Sequence, residues 1–237
     1  MNTILVTGGA GFIGSDLVRL ILDEEPETRV LVYDLLTYAG NLDNLKGYLD
    51  NPRLEFIKGS ICDRDAVGQL LDSSDVSHVI NLAAESHVDR SILGPKGFAE
   101  TNVLGTVVLL EAACEAGVKR FVQVSTDEVY GSLGPEGSFS EDSPLAPSSP
   151  YSASKAAADL LLPLRIMSPP FPNNSRPGYR AITLCWARMG WAVVIPVRRC
   201  VVTSRLTLLV SAWPRWIACG TRESCQSKRS PPRSRSW

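Results

Sequence analysis

The first residues of the chain combine a short apolar run, a glycine-rich turn and an amphipathic segment. Residues 3–7 are apolar enough for a buried strand, and Gly8, Gly11 and Gly14 follow before the pattern becomes helical. Glycines at this spacing allow a tight turn, close approach of the backbone to a pyrophosphate group and close packing of the helix. The segment therefore predicts a strand, a phosphate-binding turn and a helix whose N-terminus faces the phosphates.

A second apolar run, residues 30–33, ends in Asp34, twenty residues after Gly14. An acid at this offset hydrogen-bonds a ribose hydroxyl in dinucleotide-binding folds. Because its carboxylate repels the 2′-phosphate of NADP, we expect the cofactor to be NAD.

Strand and helix patterns alternate along the next hundred residues. The apolar runs predict strands near 54–58, 77–82 and 119–125, and the helical patterns lie near 12–24, 63–72, 97–117 and 151–162. Alternation at this spacing predicts an α/β fold, a doubly wound, Rossmann-like parallel sheet. Ligands of such sheets lie outside the carboxyl ends of the strands, so residues 81–84 and 125–127 should line one crevice.

Tyr151 and Lys155 are four residues apart and therefore share one face of a helix. We expect the ammonium group to lower the pKa of the phenol, which would make Tyr151 an acid–base group. Asp127 and Glu128 lie in residues 125–131. Adjacent residues of a strand point to opposite faces, so both carboxylates reach one ligand only if the backbone leaves the strand at Thr126.

Several segments resemble the extended short-chain dehydrogenase/reductase family and, within it, the dTDP-glucose 4,6-dehydratases. They are residues 7–15, 36–42, 81–90, 101–106, 125–131 and 150–155. The resemblance covers residues 1 to about 163. It implies NAD-dependent dehydration of dTDP-glucose to dTDP-4-keto-6-deoxyglucose, a carbon–oxygen lyase reaction of deoxysugar biosynthesis, in a homodimer formed through the helices near 97–117 and 151–162.

The resemblance also implies a role for each catalytic residue. Tyr151 takes the proton from the carbon 4 hydroxyl, Glu128 removes the proton from carbon 5, and Asp127 protonates the departing carbon 6 hydroxyl. Thr126 hydrogen-bonds the sugar hydroxyl near Tyr151. Lys155 also holds the nicotinamide ribose.

Two sets of binding residues follow from the same resemblance. Those implied for NAD are Gly8, Gly11, Phe12, Ile13, Gly14, Asp34, Thr37, Gly40, Asp63, Ala83, Ala84, Tyr151 and Lys155. Those implied for the nucleotide-sugar substrate are Ser86, His87, Arg90 and Thr126. No residue is assigned to a metal ion.

Two positions depart from the pattern of the relatives. This chain has Leu35 where relatives usually carry a lysine, and Ser60 where they carry an aspartate near the adenine. We expect these differences to weaken NAD binding modestly.

Two other functions stay open. The chain could be a dehydratase or epimerase of another nucleotide sugar, or a non-catalytic NAD-binding fragment. The segment Thr126–Asp127–Glu128 argues against an epimerase, which needs no acid and base pair of carboxylates. The nucleotide is not specified, because the residues that would hold its base lie beyond the resembling segments.

Composition changes abruptly near residue 163. Residues 1–164 contain 11 Lys and Arg against 24 Asp and Glu, whereas residues 165–237 contain 13 against 1. The formal charges are −13 and +12. We therefore expect an NAD-binding domain at residues 1–163 that lacks its last strands and substrate domain. Residues 164–237 are then an aberrant, basic, poorly ordered segment, and the edge of the fifth strand is left uncovered.

A reading-frame shift near residue 163 explains this change. Bases that can encode residues 164–169 give Ala-Tyr-His-Val-Thr when read two bases later. Relatives often carry Ala-Tyr-His-x-Thr at this distance from the lysine, and residues 181–185 resemble their next strand, which allows a second shift. We expect little or no turnover from such a chain.

Neither nucleic acid nor a membrane is an expected partner. The Arg- and Ser-rich residues 228–236 resemble sequence that GC-rich DNA encodes out of frame, and residues 192–210 contain three arginines and a proline. A membrane span needs about 20 mostly uncharged residues. The opening run reads as a strand rather than a signal peptide, and the six cysteines lack metal-binding spacing. We therefore expect a cytoplasmic protein with reduced thiols.

Overall fold

The structure is a computed structural model that describes residues 2–132, 139–140, 143–167, 181–186 and 193–194, with side chains through Leu162. Strands and helices alternate along the chain. The strands are β1 (Asn2–Thr7), β2 (Thr28–Asp34), β3 (Leu54–Lys58), β4 (His78–Asn81), β5 (Arg120–Val124), β6 (Ala181–Trp186) and β7 (Val193–Val194). The α-helices are α1 (Phe12–Glu24), α2 (Arg64–Ser73), α3 (Val88–Leu93), α4 (Pro95–Phe98), α5 (Thr106–Glu115) and α6 (Pro150–Met167).

The strands form one sheet in the order β3-β2-β1-β4-β5-β6-β7. All neighbouring pairs are parallel except β6 and β7. The order reverses between β1 and β4, which is where a doubly wound sheet opens a crevice for its ligand. The predicted fold class is confirmed. The predicted strands and most of the predicted helix bounds agree with the observed ones to within about two residues, but α6 extends five residues beyond its predicted end and α3 was not predicted.

Alternate side chains of the central strands enter two hydrophobic layers, because successive residues of a strand point to opposite faces. One layer contains Leu5, Leu31 and Phe121 and is covered by α2, α5 and the end of α6. The other contains Val6 and Val32 of the same strands and is covered by α1. Burial on both faces explains why these strands read as continuous apolar runs in the sequence.

Strand β6 corrects the expectation that the edge of β5 is uncovered. Residues 181–184 pair in parallel with residues 121–124, and Trp186 and Cys185 of β6 pair with β7. The expected disorder of residues 164–237 otherwise falls outside the described residues.

Helices α4 and α5 belong to one helical stretch, because the intervening residues Ala99–Gly105 adopt π-helical hydrogen bonding. Within the described ranges, Pro95–Glu115 is the stretch with the length and apolar composition that crossing a membrane requires, and 44% of its 18-residue window is buried inside the domain. Leu109, Leu110 and Ala113 of this stretch lie in the hydrophobic layer beside the sheet. The apolar composition is therefore accounted for by a core helix.

Candidate active site

A buried chain of hydrogen bonds crosses three neighbouring strands where they end. The Thr7 hydroxyl donates to Asn81 Oδ1 at 2.5 Å, and Asn81 Nδ2 donates to Gln123 Oε1 at 2.7 Å. The three residues are in register, since Thr7 pairs with Asn81 and Asn81 with Gln123. Because each side chain satisfies its neighbour, the polar groups are buried without loss and the three strand ends are held level.

The glycine turn leads directly from the end of β1 into α1. Gly8 has φ +67°, and a Cβ there would lie 2.7 Å from the backbone nitrogen of Ala83. A Cβ at Gly14 would lie 2.2 Å from the Gly8 carbonyl oxygen, so the helix can begin this close to the turn only with glycine there. The first turn of α1 consequently points its free N–H groups at the crevice.

Asp34 ends β2 and joins two loops. Its Oδ2 accepts a hydrogen bond from the Ala10 backbone N–H at 3.0 Å, and its Oδ1 accepts from Leu36 N–H at 2.8 Å. The second bond accompanies a left-handed backbone at Leu36, with φ +56°. The carboxylate therefore fixes both the glycine turn and the loop after β2.

The two loops border a crevice of about 700 Å³ above the carboxyl ends of the strands. Most residues predicted to bind cofactor, substrate or both line it, which brings the glycine turn, the β4 end, the β5 end and α6 together. These are Gly8, Gly11, Phe12, Ile13, Gly14, Asp34, Thr37, Gly40, Ala83, Ala84, Ser86, Thr126, Asp127, Glu128, Tyr151 and Lys155.

The chain leaves the strand after Val124, as required for both carboxylates to reach one ligand. Residues Asp127–Tyr130 form a 3₁₀ turn whose N-cap is Thr126, and the Thr126 hydroxyl accepts from the Glu128 N–H at 3.3 Å. Val129 and Tyr130 are buried beneath the turn. Asp127 and Glu128 consequently both line the crevice.

Tyr151 stands in the wall of the crevice opposite this turn. Burial and the charges of Glu128, Asp127 and Asp159 together raise its pKa to about 12, against a hydrogen bond with Thr126 that lowers it. The Phe98 ring packs edge-on against it at a centroid distance of 6.4 Å. The prediction that Lys155 makes this phenol acidic is therefore wrong for the protein without ligand, because burial and three carboxylates dominate.

Lys155 lies one helical turn beyond Tyr151 and is 3% exposed. Its Nζ donates to the Val124 carbonyl oxygen at 2.6 Å. One turn further, Asp159 Oδ2 accepts from the Ser125 hydroxyl, and Asp159 Oδ1 is buried with no hydrogen-bond partner among the described residues. No role for Asp159 was predicted from the sequence. The feature that points to it is an acid four residues after Lys155, within a helix that is otherwise rich in alanine and leucine.

Asn102 is a second residue of the site for which the sequence predicted no role. Its Oδ1 accepts from the Glu85 N–H at 2.8 Å, and its Nδ2 donates to the Glu85 carbonyl and to the Ser154 hydroxyl, each at 2.9 Å. Asn102 lies within the π-helical residues Ala99–Gly105. It thereby ties the loop after β4 to the helix that carries Tyr151.

Three predicted site residues do not line the crevice. Asp63 is the N-cap of α2, where its carboxylate accepts from the Ala66 N–H at 3.0 Å. His87 is the exposed residue before α3, and the Arg90 guanidinium lies 4.2 Å from the centre of the Tyr38 ring. The Arg90–Tyr38 contact joins α3 to the loop after β2.

Residues 5–163 match the family model described as GDP-mannose 4,6 dehydratase. The chain belongs to this family. The match ends where the composition of the chain changes.

Similar proteins of the dehydratase family and its structural neighbours match the same region. The low-salt glycan biosynthesis protein Agl12 of Haloferax volcanii is 57% identical over 159 residues, which are 67% of this chain and 50% of that protein. The structure of DesIV, a dTDP-glucose 4,6-dehydratase from Streptomyces venezuelae with NAD and TYD bound, is 52% identical with a TM-score of 0.64. It covers 68% of this chain and 50% of that one.

A UDP-Glc/GlcNAc 4-epimerase from Campylobacter jejuni has 26% identity and a TM-score of 0.70, covering 81% of this chain and 54% of that one. The chain thus spans about half the length of the relatives it matches, and the dehydratases are the more similar in sequence.

The carboxyl group of Asp159 gives a pH-dependent prediction. Burial raises its pKa to about 6, against the opposing effects of the Ser125 hydrogen bond and the Lys155 charge. The folded state therefore holds a proton that the unfolded state releases. This stabilisation is fully present below the ordinary pKa of about 4 and is lost as the pH rises through 6.

Asp159→Asn removes this titration. From about pH 4 to about pH 7, the free energy of unfolding of the variant should rise relative to wild type by about 2–3 kcal/mol. Urea unfolding followed by circular dichroism measures the difference. Asp72→Asn, an exposed site on α2, is the control and should show no such change. A difference between Asp159→Asn and wild type that is constant with pH would contradict the prediction.

Proposed function

We propose that this chain carries the NAD-binding and catalytic half of a nucleotide-sugar 4,6-dehydratase that converts dTDP-glucose to dTDP-4-keto-6-deoxyglucose. One observation carries the proposal: Asp127 and Glu128 leave the end of β5 on a tight turn and face the same crevice as Tyr151 and Lys155. An oxidation at one sugar carbon needs Tyr151. Loss of water needs an acid and a base, which the two carboxylates supply.

The residues of the crevice fit NAD. A Cβ at Gly8 or Gly14 would meet the protein's own backbone, so glycine there lets α1 begin close to the turn with its N-terminus available to a pyrophosphate. The Asp34 carboxylate ends the next strand beside that turn, which supports a role in binding the ribose. When bound, NAD supplies a hydride acceptor at carbon 4, a hydride donor at carbon 6, and a cationic ring whose charge lowers the pKa of a nearby phenol.

Three side chains of the crevice then move protons to or from carbons 4, 5 and 6 of the sugar. Tyr151, held by its hydrogen bond with Thr126, takes the proton of the carbon 4 hydroxyl. The resulting ketone acidifies carbon 5, from which Glu128 removes the proton. Asp127 donates a proton to the carbon 6 hydroxyl so that it leaves as water. Glu128 finally returns a proton, which has exchanged with solvent, to carbon 5. Lys155 holds the nicotinamide ribose and adds positive charge below the phenol.

Of the substrate contacts, we propose Ser86 and Thr126 at the crevice itself. His87 and Arg90 remain predictions for a substrate that extends past its rim, since both follow the same loop after β4.

NAD binding is tested with Asp34→Asn. The variant keeps a side chain of the same shape but loses the charge that two ribose hydroxyls would share, and its amide nitrogen cannot accept from the Ala10 or the Leu36 N–H. The affinity for NAD should therefore fall about tenfold or more, a change of about 1.4 kcal/mol. Isothermal titration calorimetry measures it. Asp72→Asn should bind as wild type does, and equal affinity in all three proteins would contradict the placement of the ribose at Asp34.

Dehydration is tested by incubating the chain with NAD and dTDP-glucose in D₂O. Even at the low turnover expected of this chain, product that has lost one water and gained deuterium at carbon 5 supports the proposal, because only a base at carbon 5 exchanges that proton. Asp127→Asn combined with Glu128→Gln should slow water loss by about 10²-fold or more. Mass spectrometry of the nucleotide sugar reads the outcome.

The same experiment separates the other candidates. An epimerase would invert the carbon 4 hydroxyl without loss of water and would keep this activity in the double variant. NAD binding with no change of the sugar would select the non-catalytic fragment. The similarity to an epimerase structure supports epimerisation as the second candidate activity. The presence of both carboxylates in the crevice favours dehydration.

We also propose that two copies associate through α4–α5 and α6. Leu104 and Leu160 on these elements are 53% and 55% exposed, and Leu93 just before them is 89% exposed, so a partner of the same chain would cover apolar surface. Light scattering should give a dimer, and Leu104→Asp should give a monomer. The cytoplasmic location stays a prediction from the sequence.

The division at residue 163 and the frame shift are likewise proposals. They are supported by the end of the family match at residue 163 and by the change of charge there. Sequencing the gene across codons 155–237 tests them, and a gene in which no other frame encodes a substrate domain would contradict them.

A further inference from the structure

Asp159 is a buried acid that no step of the proposed reaction uses. It lies on α6, one turn beyond Lys155, with Oδ2 bonded to the Ser125 hydroxyl. Its Oδ1 is shielded from solvent and has no hydrogen-bond partner in the described part of the chain. A carboxylate in such a place is costly unless it compensates another charge.

Two successive residues at the end of β5 are tied to α6. The Val124 carbonyl accepts from Lys155 at 2.6 Å, and the next residue, Ser125, donates to Asp159. Because Lys155 and Asp159 are one helical turn apart, both ties leave the same face of the helix. The residue after Ser125 is Thr126, which caps the turn that carries Asp127 and Glu128.

The charge of Lys155 also needs a partner. Its side chain is almost fully buried, and Asp159 interacts with it electrostatically from the same helix. The charge of Asp159, like those of Glu128 and Asp127, also acts on Tyr151, one turn before Lys155. Asp159 is thus placed behind Lys155, away from the ligand side of the crevice, since it does not line the crevice.

We propose that Asp159 is a positioning residue of the active site with two roles. Through Ser125 it holds the end of β5, after which Thr126 and the turn Asp127–Tyr130, here called the catalytic turn, follow. Through its charge it keeps the Lys155 ammonium on the Val124 carbonyl beside Tyr151. The inference rests on the proposed function for its meaning in catalysis.

The two roles are separable by two variants of the full chain. Asp159→Asn keeps an oxygen that can accept from Ser125 but removes the charge. Ser125→Ala removes the tie but keeps the charge. Neither measurement described next depends on turnover, so failure of this inference is distinct from failure of the proposed dehydration.

The charge role is read from the reaction of Lys155 with acetic anhydride, followed by peptide mass spectrometry. Loss of the counter-charge should speed acetylation of Lys155 in Asp159→Asn by about tenfold, the equivalent of about 1.4 kcal/mol. The exposed Lys96 is the internal reference, and Asp72→Asn is the matched control. Asp159→Glu, which restores the charge, should restore the slow rate. An equal Lys155 rate in wild type and Asp159→Asn would overturn this role.

The tie is read from hydrogen exchange. In wild type the Gly131 N–H donates to the Glu128 carbonyl within the catalytic turn. Ser125→Ala should speed exchange of peptides covering residues 126–131 severalfold while the rate of Lys155 acetylation stays at the wild-type value. Ser73→Ala, at an exposed position of α2, controls for loss of a hydroxyl. Unchanged exchange in Ser125→Ala would overturn the tie, and an increase throughout the domain would do so as well, because it would show global destabilisation instead.

Discussion

The hydrogen-bonded chain Thr7–Asn81–Gln123 is the constraint on which the crevice depends. It crosses β1, β4 and β5 at the level where the strands end, and all three side chains are buried. The amide of Asn81 must donate to one neighbour and accept from the other, so a slip of any strand by one residue would break it and move every side chain to the other face. The loops that bind and react therefore start from three fixed points at one height.

Burial and nearby charges set the protonation of Tyr151 in the crevice. Three carboxylates, those of Asp127, Glu128 and Asp159, act on a buried phenol, and the Lys155 ammonium is directed to a backbone carbonyl. The phenol accordingly keeps its proton at neutral pH in the protein by itself. A bound cation would be attracted to the same carboxylates. The site is in this sense suited to a positively charged ring, and Lys155 holds the end of β5 through the Val124 carbonyl.

The parts of the fold set by local pattern could be predicted from sequence. The turn from β1 to α1 follows from three glycines, β3 from an apolar run bounded by polar residues, and the break at Thr126 from the need to bring two adjacent carboxylates to one side. Parallel topology then placed both strand-end segments in one crevice.

The remaining features depend on contacts between distant residues. Asp63 matched a cofactor position but caps α2, since a carboxylate directly before a helix finds backbone N–H donors three residues on. Asp159 accepts a hydrogen bond from Ser125, thirty-four residues earlier, and only the fold brings the two residues together. The raised pKa of Tyr151 could not be predicted for the same reason. The spacing of Lys155 is visible in the sequence, whereas the burial of the phenol is not.

The π-helical residues Ala99–Gly105 give the long helix two faces with different tasks. Before them, Phe98 contacts the Tyr151 ring, and within them Asn102 grips the loop after β4; after them, Leu109 and Leu110 belong to the core beside the sheet. The wider turn shifts the phase of the side chains, so one rod serves two surfaces that a regular helix would not align with. Part of the core and part of the crevice wall therefore belong to one helical stretch, so we expect a change of the core at Leu109 to reach the Phe98 ring beside Tyr151.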